Sequence, residues 1–574
     1  TGETFVSCSF ERAVATMVTR WGLCWGLVCL WLGGVTDTVV ATKYHAGRGE
    51  EELDTIFSHG ALNEYHLQVG KSQWEWLNTH ELLEEYVEGN LSFKNFNTPG
   101  GVGSEELFEK VGIRYKGSKG SLEYCFSNAT SGNEGSSQWN KRLCKKLSIK
   151  LSFDKYDDRG RFYDQKKLNL HAMQNDPSLM RECLAYHLYR SMGLKVSRCA
   201  HAKVFVNGRY EGVYLAVENV DSRFLEHHFG EKEGVLFKEK WPGIGEDANH
   251  ADYFLEGVKN RKSSTTKSDI EPMLKFSQKL WDAKDSDEVA HALHKYWNLE
   301  SITRVLAVAS VIDDWDSFFT FFPSDPNRHQ DPSNGQRRFN HNFYVYQDGG
   351  GKLNLIHWDT DLTFSEYGSV LELFFGLPAW NVPLCEPHNR RSTTCTPCKE
   401  YLPYNVSQGS PTNGGILPGA GCDKILNFIA TDPATREGYL KDSWYFLQRV
   451  FIPSELEKVV RAWQARGLEE AHRCDPNYPA GKGIFPDPSQ NGTAVNWKEE
   501  VQSLLGTIRQ EYKLALERTN PVYQPHVPDR KKIGKVFKCV TDCSKFMSRH
   551  DIKSLYTCYS ICLHEVSPFA SSQV

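Results

Sequence analysis

The chain has 574 residues, enough for several domains, and its 40% hydrophobic and 12% aromatic content excludes general disorder. Its 67 basic residues are outnumbered by 72 acidic ones, and the net charge of -5 predicts no nucleic-acid footprint.

The first methionine is Met17. Arg20 follows, then the apolar run from Trp21 to Leu32, with small residues at Gly33, Gly34 and Ala41. A short positive region, an apolar core too short to span a bilayer comfortably and a small-residue zone predict a signal peptide; a membrane anchor is the alternative. Residues 1–41 are thus expected to be an untranslated leader plus signal peptide, and the mature chain to carry no stable transmembrane segment. Secretion or surface display agrees with four Asn-x-Ser/Thr sequons, at Asn90, Asn128, Asn405 and Asn491, and with 16 cysteines. Setting aside Cys8, Cys24 and Cys29 leaves an odd number, so at least one thiol is free or intermolecular. Cys395 and Cys398, with Cys385 and His388, suit zinc or disulfides, and an oxidising compartment favours disulfides.

Residues 42–110 are expected to be a β-rich accessory region. Val111 to Tyr115 alternates apolar and polar residues and runs into Lys116-Gly117-Ser118-Lys119-Gly120-Ser121, a turn that can present backbone N–H groups to an anion. A second alternating strand, Lys145 to Tyr156, sets Lys150 either on a solvated face or against nucleotide phosphates. Asp176 then suits an N-cap and Pro177 a first helical position, in a helix ended by Gly193. Glu182 in that helix is placed to reach a strand lysine. Asn207-Gly208 is a strong hairpin signal, and the second strand ends at Glu218, a natural edge for a ligand pocket.

Asp313, Asp314 and Asp316 come next, set among Trp315, Phe318 and Phe319. Phe343–Tyr346 and Lys352–Trp358 predict a hairpin around Asp348-Gly349-Gly350-Gly351, with Asn342 at its entry and Asp359 and Asp361 at its exit. Carboxylates beside bulky apolar residues are costly unless paired or metal-bound. An acid, an Asn, a hairpin and another acid is the order in which protein kinases place their catalytic and metal-binding groups.

With these motifs assembled, the chain resembles the CotH family, the spore-coat-protein-H-like atypical protein kinases. The matching residues are Val111 to Ser118, Lys167-Leu168-Asn169-Leu170, Arg181-Glu182, Val206-Asn207-Gly208, Gly212 to Glu218, Leu236-Phe237-Lys238, His341 to Tyr344, and Trp358 to Asp361. The resemblance implies an α+β, divergent two-lobed kinase-like fold over residues 111–520, its β-rich N-lobe ending near 240 and its α-rich C-lobe following. It also implies transfer of phosphate from ATP, with Mg²⁺ or Mn²⁺, to Ser or Thr of a secreted or surface protein. By resemblance Asp316 is the catalytic aspartate, with Asp314 and Asp313 as alternates. Asp359, Asn342 and Asp361 would hold metal. Lys150 would pair with phosphates, Glu182 would be its partner, and Glu218, Lys116 and Lys238 would line the nucleotide site. The alternative function is a binding protein, an adhesin or structural partner, whose nucleotide site is weak or relict.

One departure from the family is Thr320 to Phe339, inserted between the aspartates and Asn342. Gly368 to Gly421 is expected to be a disulfide-bonded excursion, and helical pattern resumes from Cys422 to Arg518. After a linker at 521–534, residues 535–574 carry Cys539, Cys543, Cys558 and Cys562. Spacing of four puts each pair on one helical face, so two helices stapled by Cys539–Cys562 and Cys543–Cys558 are expected, resembling an alpha-hairpinin.

Overall fold

The structure is a computed structural model. It describes residues 49–79, 85–97, 103–117, 146–174, 176–243, 250–260, 265–314, 316–319, 338–364, 423–473 and 496–519, with shorter pieces at 125, 144, 322–323, 404–405 and 410–411. The leader and signal peptide expected at 1–41, Asn128, Asn491, Cys385 to Cys398 and the cysteines of 535–574 lie outside the described residues, and of Asn405 only the backbone is described.

Seven strands carry alternating apolar residues and roll those faces inward. They are β1 (Asn63–Val69), β2 (Val87–Asn95), β3 (Ser104–Tyr115), β4 (Ile149–Ser152), β5 (Lys167–His171), β6 (Cys199–Val206) and β7 (Arg209–Glu218), closed into a barrel in the order β1-β2-β3-β4-β5-β7-β6. Every pairing is antiparallel except the seam, where β1 and β6 run parallel with Asn63 opposite Ala202. Leu67, Phe93, Ile113, Leu151, Leu168 and Leu170 fill the interior. The Phe93 and Phe162 rings meet edge to face with centroids 5.0 Å apart.

The closed barrel corrects the expected two-lobed kinase-like layout, in which a β-rich N-lobe would start at residue 111. The correction arises because β1, from the region expected to be accessory, bridges β2 and β6 and leaves the sheet no edge. The Asn207-Gly208 turn secures the seam. Both residues adopt positive φ, 50° and 80°, as a two-residue hairpin requires. The Asn207 side chain then accepts from the Val69 amide at 2.8 Å.

On β7, Tyr214 and Ala216 face the barrel interior, while Val213, Leu215 and Val217 face a second apolar core. Two helices, α1 (Gly49–Phe57) and α2 (Lys71–Leu77), pack with the barrel core, whereas the second core holds α3 (Arg181–Ser191), α4 (Ser222–Phe229), the strand β8 (Val235–Lys238) and the helices α5 (Ala251–Gly257), α6 (Glu271–Asp282), α7 (Ser286–Tyr296) and α8 (Leu299–Ala309). It also includes β9 (Phe343–Gln347) and β10 (Leu353–His357), the predicted hairpin, which joins β8 in the order β10-β9-β8. Later helices, among them Lys424–Thr431, Pro433–Tyr445, Pro453–Trp463 and Trp497–Thr519, complete a mixed α+β protein. Among the described residues no helix is long and apolar enough to cross a membrane.

α3 starts at Arg181, later than the N-cap expected at Asp176, because Leu179 adopts φ +61° and interrupts the turn. The Asp176 carboxylate still accepts from the Arg181 amide at 2.7 Å. A disulfide, Cys183–Cys199, ties α3 to β6, and a second joins Cys125 and Cys144. The cross-link at Cys183 closes a separation of 16 residues. Replacing both Cys183 and Cys199 by Ala should therefore cost about 2–4 kcal/mol, read as a lower urea midpoint. A midpoint unchanged from the parent would show that the helix is held by packing alone.

Candidate functional site

The outer face of the barrel is where polar residues alternate with the core-facing ones. Arg114 on β3, Lys150 on β4 and Asn169 on β5 lie side by side in register. Lys150 donates from Nζ to Asn219 Oδ1 at 2.9 Å, and Asn219 Nδ2 donates to Asp221 at 2.8 Å. Burial, reinforced by Arg114, Lys116 and Lys167, brings the Lys150 ammonium down to a pKa of about 7. The Asp221 carboxylate, near Lys150 and Lys167, works the other way on Lys150.

Two residues along β5, His171 is buried, and its Nδ1 contacts both carboxylate oxygens of Glu182, at 2.8 and 2.9 Å. The expected Lys150–Glu182 pair does not form: Asn219 holds the lysine and His171 takes the glutamate. Asn169 and His171 share the face of β5 opposite Leu168 and Leu170, and that alternation was the available signal for a role of His171.

α3 covers this face with residues spaced i, i+4 and i+7. Glu182 meets His171; the Tyr186 hydroxyl accepts from the Asp359 amide at 3.0 Å; the Tyr189 hydroxyl donates to Asp314 at 2.5 Å. Tyr186 and Tyr189 are fully buried. One helix therefore fixes an acid of the barrel site, the backbone of Asp359 and one of the three clustered aspartates.

Those aspartates divide by environment. Asp314 is buried between Tyr189 and His357, with His357 Nε2 at 2.5 Å from its Oδ2. Asp313 is also buried and adopts φ +53°. Asp316 is the more exposed one: its Oδ1 lies 2.7 Å from His341 Nε2, and Asn342 Nδ2 donates to its Oδ2 at 3.0 Å. Burial lowers the His341 pKa, but the charge and hydrogen bond of Asp316, with Glu239 and Asp359, together more than offset this and leave it raised.

Asp316 and Asn342 meet although the 320–339 insertion separates them. A short antiparallel ladder, Phe322 opposite Phe339 and Pro323 opposite Arg338, closes the insertion at its base.

Asp359 follows β10 with φ +62°, a left-handed conformation that Asp tolerates better than most residues. Burial pushes its carboxyl up, but Lys116, His171, Lys238 and His341 together more than offset this and leave it below the ordinary range. Lys116 lies over the Trp358 ring, its Nζ 5.4 Å from the centroid. Lys238 stands opposite Tyr344 and pairs with Glu239 at 3.3 Å. Burial lowers its pKa, but Tyr344, Glu239 and Asp359 overcome that and raise it. Asp361 lies two residues on, partly buried, in the turn after β10.

Glu218 does not present the expected pocket edge. It is fully buried and bound by His228 at 2.9 Å and by Arg198, which between them overcome burial and hold its pKa down to about 2. Asn90, the described sequon, lies on β2, where its Oδ1 accepts from the Lys110 amide at 3.3 Å.

The fold and site define a mixed α+β protein in which a closed barrel and a largely helical body converge on one acidic and cationic centre. The chain belongs to the family described as CotH kinase protein, which it matches over residues 113–513. It is 26% identical over 232 residues to the inner spore coat protein H of Bacillus subtilis (strain 168), covering 38% of this chain and 55% of that one. It is 33% identical over 75 residues to the inner spore coat protein H-like protein of the same organism, covering 13% of this chain and 23% of that one. The matched segments thus span about half, or less, of these relatives.

Proposed function

We propose that the protein transfers phosphate from ATP, with a divalent metal, to Ser or Thr of a secreted or surface protein. The observation that carries this reading is the convergence of Asp316, Asn342 and Asp359, from three separate segments, beside Lys116 and Lys238. Asp359 is kept anionic by surrounding cations, and Asn342 offers a side-chain oxygen; both suit a hard divalent ion carrying phosphates. The metal would neutralise charge on the phosphates and hold them in place. Asp316, held by His341 and Asn342, orients the acceptor hydroxyl and takes its proton. Lys150 and Lys116 supply positive charge along the barrel face. Positioning and charge neutralisation then carry most of the rate. A spore coat relative agrees with work at a cell surface.

A second reading, a binding protein on the same frame, is favoured by one observation: Lys150 and Glu182 are engaged with other partners rather than with each other. Labelled ATP with Mg²⁺ or Mn²⁺, offered to protein purified from a secretory host, separates the two. Incorporation together with a metal-dependent rise in melting temperature supports transfer. Absence of both leaves the binding protein.

Lys150 adds a proton signature. Free, it is mostly neutral above pH 7, since its pKa is about 7. Phosphates placed beside it favour the ammonium, so ATP binding should take up close to one proton per site near pH 8. Affinity should then strengthen by up to about tenfold for each unit that pH falls from 9 towards 7, and level off below. Calorimetry in buffers of different ionisation enthalpy reads the uptake, and Lys150→Met should abolish it. Equal uptake in that variant would remove Lys150 from the phosphate site.

A further inference from the structure

An ammonium offers hydrogen-bond donors only and a carboxylate acceptors only, so a primary amide is a side chain that can stand between the two and satisfy both. Asn219 does so. It is buried, its Oδ1 accepts from Lys150 Nζ at 2.9 Å, and its Nδ2 donates to Asp221 Oδ2 at 2.8 Å. The backbone that carries Asn219 is pinned on either side. Asp221 Oδ1 accepts from the Arg223 amide at 2.9 Å and caps the start of α4, while Glu218 lies 2.9 Å from His228 in the last turn of the same helix. The Glu218 amide also donates to the Arg198 carbonyl at 2.9 Å, and the Arg198 amide to the Glu218 carboxylate at 3.1 Å. Glu218 and Asp221 together fix the corner between β7 and α4 that presents Asn219 to the lysine of β4.

We propose that Asn219, backed by Asp221, is the positioning residue of Lys150, in the place where a protein kinase sets a helical glutamate. Its service to phosphate binding rests on the phosphoryl-transfer reading; its hold on Lys150 does not. A glutamate there would fix the lysine as a permanent cation. A neutral amide holds the side chain yet leaves its charge to the surroundings: burial, Arg114 on β3, Lys116 after it and Lys167 on β5 disfavour the ammonium, and Asp221 favours it. Lys150 is thus kept in place and becomes fully charged when phosphates arrive.

The test reads Lys150 in the full chain without nucleotide, through lysine labelled with ¹³C at Cε and assigned by the signal that Lys150→Met removes. In the parent this signal should titrate near pH 7. Asp221→Asn keeps a capping side chain and an acceptor for the Asn219 amide but removes the charge, so the midpoint should fall. Exchanging the two residues, Asn219→Asp with Asp221→Asn, sets the carboxylate against the ammonium with an amide behind it. The midpoint should then rise by at least about one unit. A residue that merely packs gives no reason for opposite shifts. With ATP added at pH 8, Asn219→Leu should bind at least about tenfold more weakly, and the exchanged variant should bind without the proton uptake of the parent, its lysine being charged already.

A Lys150 midpoint equal to the parent's in both Asp221→Asn and the exchanged variant, or one that falls in the exchanged variant, would overturn the proposal. If the exchange does not fold, Asp221→Asn decides alone, and an unmoved midpoint overturns it. Phosphate transfer that survives beside unmoved midpoints keeps the kinase reading and removes Asn219. Opposite shifts with no ATP bound keep Asn219 as the hold on Lys150 and remove the kinase reading.

Discussion

Asp359→Asn should lower phosphate transfer on the order of 10³-fold, the scale on which a single preorganised electrostatic group acts in a transition state. The substitution suits the position because Asn, like Asp, tolerates the left-handed backbone found there at φ +62°. The backbone bond from the Asp359 amide to Tyr186 also survives. What disappears is the charge that Lys116, His171, Lys238 and His341 surround. The folded state should therefore persist with circular dichroism unchanged, while incorporation from labelled ATP collapses. Asp316→Asn should produce a comparable loss, since its amide cannot take the acceptor's proton. Transfer within about threefold of the parent in both variants would remove these residues from the chemistry.

Asp314→Ala should act on stability instead. Its carboxylate is buried and accepts from Tyr189 while lying 2.5 Å from His357, whose side chain is fully buried. Taking it away leaves a buried hydroxyl and a buried imidazole without their partner. Breaking such a pair costs about 3–5 kcal/mol, a large share of the stability of most domains. Urea unfolding should show the midpoint falling accordingly, and activity corrected for folded fraction should fall far less than in Asp316→Asn. A midpoint near the parent's, with transfer abolished, would instead make Asp314 the catalytic aspartate.

Asp314 and Asp316 lie two residues apart, and their different fates show what the sequence could carry. The grouping of acids ahead of Asn342 and Asp359 was legible, as were the Asn207-Gly208 hairpin and the β9–β10 hairpin, because each is written in local turn chemistry and alternation. Which aspartate is buried was not local information. Tyr189, the partner of Asp314, lies 125 residues earlier. The same limit hid the His171–Glu182 pair. A helical glutamate and a strand lysine suggest each other by charge, yet the neighbouring strand β5 carries Asn169 and His171 on that face, and only the fold decides that Glu182 meets His171. Barrel closure was hidden more deeply, since parallel pairing of β1 with β6 leaves no mark on either strand alone. Conversely, the turn at Asp313, Asn342 and Asp359 had a trace in composition: all three adopt positive φ, and Asp and Asn are the residue types that do so at least cost after glycine.

The parallel seam also sets a timetable for synthesis. β2 to β5 are successive antiparallel neighbours and can zip together as they emerge, but β1 waits with one side unpaired until β6, opposite it from Asn63 to Leu67, has been made. A nascent chain halted before Cys199 is thus a sheet with two open edges, the state in which strands recruit other chains. Truncated fragments ending in that interval should be the ones that aggregate, and a ribosome that pauses there lengthens the exposure.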